Sequence, residues 1–297
     1  MKILLLGGTG QVGHELQRSL GVLGELAVPG QGGIPRIDLA EGAGLRQAIN
    51  TIRPDVIVNA AAYTAVDKAE TERDAATAVN AAAPAIMAEA ARQLGAALVH
   101  YSTDYVFDGS GNAPRKESDT TGPLNHYGRS KLEGEAGVQA HLPRHLIFRT
   151  SWVYGLHGRN FPKTMLALMR ERDSLTIVSD QVGVPTSAAM LADATAQAMR
   201  HALQMNEGWG LYHLVPGGET NWCALAEHVL ARANVLGLLQ RRPALQAVLS
   251  ASYPQAALRP LNSRLDTSKF RQSFGLQLPE WQVPLEAFLQ QLAGQGH

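Results

Sequence analysis

The residues best suited to chemistry are a tyrosine and a lysine four positions apart, Tyr127 and Lys131. In a helix this spacing places a phenol and an ammonium on one face, in adjacent turns. A phenol has a pKa of about 10 and is a slow proton donor at neutral pH unless a nearby cation stabilises its phenolate. Because the chain has seven tyrosines and six lysines, the spacing alone is a modest signal and needs support from its context.

A third candidate group is the hydroxyl of Thr103. It belongs to Ser102-Thr103-Asp104, directly after the apolar run 97–101, which predicts a strand. Ligands of open parallel sheets gather at the carboxyl ends of the strands, so Thr103 is expected beside the reacting group; the alternative is a hydroxyl that only forms a turn. Together with Tyr127 and Lys131 it predicts proton transfer to a carbonyl oxygen while a nicotinamide cofactor delivers hydride to the carbon.

A glycine turn supplies the expected cofactor site. Gly7, Gly10 and Gly13 form a G-x-x-G-x-x-G pattern between the apolar run 2–6, a predicted strand, and a helical pattern over 12–23. Backbone N–H groups and the positive end of that helix can hold a pyrophosphate. The position of the pattern, after the first strand of a strand–helix series, favours cofactor binding over a merely structural turn.

The end of the second strand bears on which cofactor is accepted. Residues 27–30 read Ala-Val-Pro-Gly and lack the acid that usually holds an adenine-ribose 2′-hydroxyl. Without that carboxylate a 2′-phosphate is not repelled, so we expect NADPH to bind, NADH to be accepted as well, and Arg36 to be a candidate phosphate contact. Asp38 has two open interpretations: contact with the adenosine, or a cap for the helix that starts near Glu41.

The elements that must position these residues alternate between strand and helix up to about residue 150. The series continues with helices at 45–52, 67–94 and 127–139 and with strands at 56–58, 97–101 and 145–148. Within the Ala-rich helical stretch, Pro84 predicts a break or a new first turn. This alternation predicts an α/β protein with a Rossmann-type, doubly wound parallel sheet over residues 1–150.

The second half of the chain loses this rhythm. Its pattern predicts helices near 161–171, 188–204, 222–233 and 284–293, joined by Pro- and Gly-containing connections. We interpret residues 151–297 as a smaller C-terminal lobe that mainly binds the substrate. Some of its segments are expected to return to the first domain.

Composition and charge exclude several classes of protein. Lys plus Arg and Asp plus Glu both number 26, and no basic run offers the footprint that nucleic acid requires. The single Cys223 excludes an internal disulfide and a cysteine metal cluster, which favours a reducing compartment. The apolar start lacks a cleavage pattern, and no stretch approaches the roughly 18 apolar residues of a membrane span. We therefore expect a cytoplasmic protein that binds neither nucleic acid nor a membrane.

Together these residues resemble the extended short-chain dehydrogenase/reductase family, and within it the reductases of dTDP-4-dehydro-β-L-rhamnose. The resemblance covers nearly the whole chain. The stretches that carry it are 7–13 (GGTGQVG), 59–70 (NAAAYTAVDKAE), 102–109 (STDYVFDG), 127–131 (YGRSK), 149–155 (RTSWVYG), 160–161 (NF), 184–187 (VPTS) and 259–263 (RPLNS). The resemblance implies reduction of the C4 keto group of that nucleotide sugar to give dTDP-L-rhamnose, for lipopolysaccharide or O-antigen biosynthesis.

The resemblance also implies individual roles. Tyr127 would be the proton donor, Lys131 would bind the nicotinamide ribose and lower the pKa of the phenol, and Thr103 would polarise the carbonyl. Cofactor contacts are further implied for Gly10, Gln11, Val12, Asp38, Leu39, Ala62, Tyr63 and Thr64, beside Gly7 and Gly13 of the turn. Substrate contacts are implied for Thr103, Asp104 and Trp152, with an ordinary core position as the alternative for the tryptophan.

Some members of the family dimerise around Mg²⁺ held by glutamates, one of them in the first helix. Glu15 matches that position, but the residues after the Val-Pro-Thr-Ser stretch are Ala188-Ala189-Met190 and provide no acid. We therefore expect no essential metal, and either a monomer or a homodimer. Two other functions remain open: a nucleotide-sugar epimerase or dehydratase that retains its cofactor, and a non-catalytic, reductase-like regulatory subunit.

Overall fold

A six-stranded parallel sheet forms the centre of the computed structural model, which describes residues 1–253 and 255–295. The strands are β1 (Lys2–Leu6), β2 (Glu25–Ala27), β3 (Val56–Asn59), β4 (Ala97–Thr103), β5 (His145–Thr150), β6 (Val153–Tyr154), β7 (Ser174–Val178), β8 (Val182–Gly183), β9 (Thr186–Ser187), β10 (Gly210–His213), β11 (Thr220–Asn221) and β12 (Ala244–Val248). The helices are α1 (Gln11–Gly21), α2 (Gly42–Ile52), α3 (Val66–Ala69), α4 (Arg73–Thr77), α5 (Ala83–Leu94), α6 (His126–His141), α7 (Phe161–Glu171), α8 (Ala188–Met205), α9 (Trp222–Val235), α10 (Ser268–Phe274) and α11 (Gln282–Gln295).

The order of strands in the central sheet reverses beside β1. The sheet has the order β10-β5-β4-β3-β1-β2, so β1 pairs with β2 on one side and with β3 on the other. Such a reversal opens a crevice at the carboxyl ends of the two central strands. Leu6 and Asn59 are in register at these ends, so the glycine turn after β1 and the loop after β3 both reach the crevice.

Helices cover both faces of the sheet, as its apolar strands require. The residues of β3, β4 and β5 are all buried. α1, α8 and α10 pack on one face, where Leu16, Leu191 and Phe270 join one core. α2, α5 and α6 pack on the other face, around Ile49 and Val138. The predicted Rossmann-type, doubly wound sheet is confirmed.

A further apolar core joins helices of the second half of the chain. α7, α9 and α11 contribute Met169, Leu225 and Leu285 to it. The parallel pairs β6–β9 and β7–β12 and the antiparallel pair β8–β11 also lie in this half. The sequence predicted the four longer helices but neither these strands nor α10. Since α8, β10 and α10 pack on the central sheet, a division of the chain at residue 150 stays a prediction.

Asparagine side chains fix where three helices begin. At the start of α6, Asn125 Oδ1 accepts from the backbone N–H three residues later, at 2.8 Å; Asn160 and Asn221 do the same for α7 and α9. α6 therefore begins one residue before Tyr127. Tyr127 and Lys131 thus lie in its first two turns.

The Ala-rich stretch 67–94 is interrupted before Pro84, as predicted. Residues 78–82 form a π-helical turn, and α5 follows with Pro84 in its first turn. The π turn buries Asn80, whose side chain bonds the N–H and C=O of Tyr63 at 2.8 and 3.0 Å and the hydroxyl of Ser130 at 3.1 Å. Asn80 therefore ties the loop after β3 to the helix that carries Tyr127.

Candidate active site

A cavity of about 490 Å³ opens where β1 and β3 end. Its walls come from the glycine turn, from the ends of β4 and β5, from the loop after β3 and from α6. The lining residues are Gly7, Thr9, Gly10, Gln11, Val12, Ala60, Ala61, Ala62, Thr64, Tyr101, Ser102, Tyr127, Lys131, Thr150, Val153, Gly158 and Arg159. We call it the larger cavity.

The glycine turn is tightly packed where it meets α1. Gly7 has a φ of +79°, and its carbonyl oxygen accepts from the Gly10 N–H at 2.9 Å. A Cβ on Gly13 would lie 2.0 Å from that same oxygen, so only glycine fits there. Within the described chain no side chain caps the start of α1, so its first N–H groups can face an anionic ligand such as a pyrophosphate.

Two buried hydroxyls in the larger cavity also suit a polar ligand. Ser102 Oγ, in β4, and Thr150 Oγ1, at the end of β5, have no hydrogen-bond partner among the residues that the structure describes. A buried hydroxyl without a partner is costly, so these atoms fit a ligand that supplies one. Together with the glycine turn they fit a dinucleotide whose polar groups reach the ends of β4 and β5.

The phenol of Tyr127 lies at the wall of the larger cavity, and Thr103 and Asp104 are close enough to affect its pKa. Burial raises the pKa of Tyr127 to about 12; the hydroxyl of Thr103 opposes this rise, and the nearby carboxyl of Asp104 adds to it. The ring of Tyr105 packs edge-on against the Tyr127 ring, with 5.6 Å between centroids. Thr103 is not among the residues that line the larger cavity, so contact of its hydroxyl and the Tyr127 phenol with one carbonyl oxygen stays a prediction.

Lys131 is almost completely buried, and its amine points toward the sheet. Its Nζ donates to the Tyr101 carbonyl at 2.6 Å and lies 3.4 Å from Nε2 of His100. Burial lowers the pKa of Lys131 to about 8, while Glu135, one turn further along α6, opposes this decrease. The phenol pKa is set by burial, Thr103 and Asp104. Its lowering by Lys131 stays a prediction.

Asp104 places a buried carboxyl behind Thr103. It is 2% exposed, and its Oδ1 accepts from the Thr103 hydroxyl at 3.1 Å. Its Oδ2 has no hydrogen-bond partner within the described chain. Burial raises the pKa of Asp104 to about 6, against the opposing effects of Ser263 and Thr103. The carboxyl therefore exchanges its proton close to the reaction centre at mildly acidic pH.

Tyr105 also lines a second cavity, of about 240 Å³, which we call the aromatic cavity. Its lining residues are Tyr105, Phe161, Met165, Thr176, Ile177, Val178, Gln181, Trp222, Tyr253, Gln255 and Arg259. Trp222 stacks on Trp152 with 3.7 Å between ring centroids, and its Nε1 donates to Gln181 Oε1 at 3.0 Å. Aromatic rings, an amide and a guanidinium suit a nucleobase and a diphosphate. Trp152 supports this wall from behind and lines neither cavity.

The architecture and motifs agree with known proteins. The chain matches the RmlD substrate binding domain family over residues 1–293. It is also 50% identical to the dTDP-4-dehydrorhamnose reductase of Shigella flexneri over 293 residues, which cover 98% of each chain. The chain belongs to the dTDP-4-dehydrorhamnose reductase family. The family resemblance found in the sequence motifs is thereby confirmed.

Two solved structures of the dTDP-4-dehydrorhamnose reductase family have the same fold. The protein of Clostridium acetobutylicum gives a TM-score of 0.89 at 34% identity, with 98% of this chain and 99% of that chain covered. The reductase of Bacillus anthracis, solved in complex with NADP, gives 0.86 at 34% identity, with 97% and 98% covered.

Most of the cofactor residues predicted for this reductase family member line the larger cavity. These are Gly7, Gly10, Gln11, Val12, Ala62, Thr64, Tyr127 and Lys131. Gly13 lies beneath the turn. Tyr63 is held by Asn80 through its backbone, and its hydroxyl donates to Glu72 Oε2 at 2.6 Å.

Asp38 and Leu39 lie outside the larger cavity. Asp38 Oδ1 accepts from the Ala40 N–H at 2.9 Å, and α2 begins later, after Glu41, so Asp38 closes its own turn and does not cap the helix. Leu39 packs against the core under α2 and α5. Their contact with a cofactor stays a prediction.

The sequence did not single out several residues of the larger cavity. Ser102 and Thr150 could have been found, since each stands at the end of a predicted strand. Gly158 and Arg159 carry no such signal, because they reach the cavity from a loop that follows β6.

Glu15 lies in a groove beside α8 together with Ala189 and Met190. In the parts of the chain that the structure describes, no group of three His, Cys, Asp or Glu side chains could hold a metal ion. Nor do these parts contain a helix long and apolar enough to span a membrane.

Proposed function

We propose that the protein is a dTDP-4-dehydrorhamnose reductase that uses NADPH to reduce the C4 keto group of dTDP-4-dehydro-β-L-rhamnose to dTDP-L-rhamnose. The observation that carries this proposal is the placement of Tyr127 and Lys131 in one cavity with the glycine turn, in a chain 50% identical to a protein of that description. When bound, NADPH supplies the hydride, and NADH is accepted as well.

Tyr127 donates the proton to the carbonyl oxygen. Thr103 supports this role, because its hydroxyl lowers the pKa of the phenol and a second donor nearby can polarise the carbonyl. A phenol with a pKa of about 12 gives up its proton reluctantly at neutral pH, so a positive charge has to stabilise the phenolate. Lys131, one turn further along α6, is the residue that the chain places to provide that charge.

The cofactor is held along the larger cavity. The glycine turn from Gly7 to Gly13 binds the pyrophosphate with backbone N–H groups, and Lys131 binds the nicotinamide ribose. Ser102 and Thr150 supply hydroxyls for the polar groups of the nicotinamide half. Asp38 and Leu39 face the adenosine, while Arg36, whose side chain lies beside Gly30 after β2, contacts the 2′-phosphate.

The nucleotide sugar extends from the reaction centre into the aromatic cavity. Thr103 and Asp104 face the sugar, and the stacked Trp222 and Trp152 support the base or sugar with a flat apolar wall. Arg259 is the cation of this cavity and forms an ion pair of 2.7 Å with Asp67. It can meet the diphosphate there.

The domain organisation, the cellular compartment and the oligomeric state are part of the same proposal. Residues 1–150 hold the cofactor, and residues 151–297 mainly bind the substrate. The enzyme works in the cytoplasm as a monomer or homodimer, without nucleic acid and without an essential metal. Unchanged activity after EDTA treatment supports the last point, and loss of activity that Mg²⁺ restores would contradict it.

Oxidation of NADPH and NADH in the presence of dTDP-4-dehydrorhamnose tests the function. We expect substrate-dependent oxidation by the wild type and a decrease of about 10²–10⁴ in rate for Tyr127→Phe, since a general acid contributes about that much. Tyr212→Phe in β10, which removes a hydroxyl bonded to the Gly208 carbonyl, is the matched control and should keep its rate. Wild-type protein that oxidises neither cofactor, or that returns an epimerised or dehydrated sugar with its cofactor still bound, would overturn the proposal.

A further inference from the structure

A chain of buried polar groups leads from β3 to Lys131. Asn59 and His100 are in register on neighbouring strands, and they are 1% and 0% exposed. Asn59 Nδ2 lies 3.1 Å from His100 Nδ1, and His100 Nε2 lies 3.4 Å from Lys131 Nζ. The proposed function gives no role to Asn59 or His100.

The backbone fixes the direction of these hydrogen bonds. Asn59 Oδ1 accepts from the Ala61 N–H at 3.1 Å, so the NH₂ end of the amide faces His100. An NH₂ group only donates, so Nδ1 of His100 has to accept and carries no proton. Burial, with a contribution from Lys131, holds the pKa of His100 well below its usual range, so the ring is neutral. Its single proton is therefore on Nε2.

The Nε2–H of His100 then faces the amine of Lys131. An ammonium has three donors and no lone pair, so it cannot accept this hydrogen bond, whereas a neutral amine can. The amine has its own acceptor in the Tyr101 carbonyl, toward which it donates. The orientation of His100 thus favours the neutral form of Lys131, and burial lowers the pKa of Lys131 in the same direction.

We propose that His100, oriented by Asn59, is a positioning residue for Lys131: its Nε2–H faces the amine and favours the neutral amine over the ammonium. The ammonium that stabilises the Tyr127 phenolate then forms only below about pH 8, where Lys131 takes up a proton. Since the phenol has a pKa of about 12, Lys131 loses its proton first. The alkaline limit of activity is therefore set by Lys131, a consequence that rests on the proposed function.

Other titratable groups around Lys131 do not change the direction of this effect. Glu135 favours the ammonium, but Arg149 holds its carboxylate in a two-point ion pair of 2.8 and 2.6 Å. The remaining groups nearby are Tyr127 on the same helix and Asp104 and Tyr105 in the turn after β4. Asp104 acts on Tyr127, and Tyr127 in turn acts on Tyr105.

The tautomer of His100 tests the proposal without cofactor or substrate. Ring ¹⁵N shifts of the protein labelled at its ten histidines, with His100 assigned through its Cβ, distinguish Nε2–H from Nδ1–H. We expect the Nε2–H tautomer, unchanged from about pH 6 to about pH 9. The Nδ1–H tautomer, or a ring that becomes cationic in this range, would overturn the proposal. Because only the chain is present, such a failure is distinct from a failure of the proposed function.

A His100→Gln variant tests the effect on Lys131. The glutamine amide can turn its oxygen toward the amine and stabilise the ammonium. The Lys131 titration, followed by ¹³Cε resonances of the six lysines, should then move up by about one pH unit, as should the alkaline limb of kcat/KM. His145→Gln is the matched control: His145 is buried on β5 and bonds the Leu142 carbonyl at 2.5 Å. An unmoved Lys131 titration in folded His100→Gln would contradict the proposal; should that variant not fold, the wild-type tautomer decides.

Discussion

The buried carboxyl of Asp104 makes the stability of the fold decrease as the pH rises. Its pKa is about 6 in the folded protein, against an ordinary value of 3.8. Between these values the folded protein holds a proton that the unfolded chain has released, so the free energy of unfolding falls as the pH rises through this window. At about 1.36 kcal/mol per pKa unit, the loss amounts to about 3 kcal/mol.

Asp104→Asn should remove this dependence, because an amide does not ionise. Between about pH 4 and about pH 8, the variant should gain up to about 3 kcal/mol in free energy of unfolding relative to the wild type. The new NH₂ group replaces an Oδ2 that has no partner in the described chain, and burying it costs stability. This cost is the same at both pH values, so it cancels when the two free-energy differences are compared. Urea denaturation followed by circular dichroism at both pH values gives the four free energies that are needed.

Asp108→Asn is a control in which the pH dependence of stability should change in the opposite direction. Asp108 is exposed, and its pKa is held low by the N–H and hydroxyl of Ser110 and by Arg115. A carboxyl with a lowered pKa stabilises the fold above its unfolded pKa, so this variant should lose stability at about pH 8 relative to about pH 4. Equal pH dependence in the wild type and Asp104→Asn would refute the reasoning about the buried carboxyl.

Three further changes probe the cofactor turn, the core and cofactor choice. Gly13→Ala places a methyl 2.0 Å from the Gly7 carbonyl oxygen; NADPH affinity should fall at least about tenfold in a fluorescence titration, and unchanged affinity would show that the turn is not used. Glu135→Gln leaves the buried Arg149 uncompensated and should cost about 3–5 kcal/mol in urea denaturation; a loss below about 1 kcal/mol would mean that water reaches the pair. Arg36→Ala should raise KM for NADPH several-fold and leave KM for NADH unchanged, and equal changes would exclude a 2′-phosphate contact.

The parts of the site that follow directly from a strand could be predicted from the sequence. Gly7 and Gly10 come after an apolar run, and in a parallel sheet the next residues have to reach the carboxyl edge. Tyr127 and Lys131 were found by their helical spacing, which depends only on local structure. For the same reason the first five strands of the central sheet and the longer helices agree with the predicted elements, whereas the sixth strand, β10, was not predicted.

The rest depends on contacts between distant parts of the chain. Nothing near Trp222 or Gln181 indicates that they share a cavity with Tyr105, since the folding of the second half brings them together. The sequence indicated a cation beside the phenol, yet the Lys131 amine is directed toward the sheet by Tyr101 and His100. The pKa values of Tyr127 and Lys131 are shifted by burial, to which residues far away in the sequence contribute. A local sequence pattern does not reveal such contacts.

The sixth strand of the sheet, β10, pairs with β5 although about sixty residues of chain separate them. A fragment that ended after β5 would present that strand as an unpaired edge and uncover Leu146 and Phe148, which are buried in the intact chain. Such a fragment is expected to aggregate. Substrate specificity in this architecture is therefore more readily altered by changing loops in place than by exchanging the C-terminal half between relatives, because that exchange would also replace part of the scaffold under the cofactor.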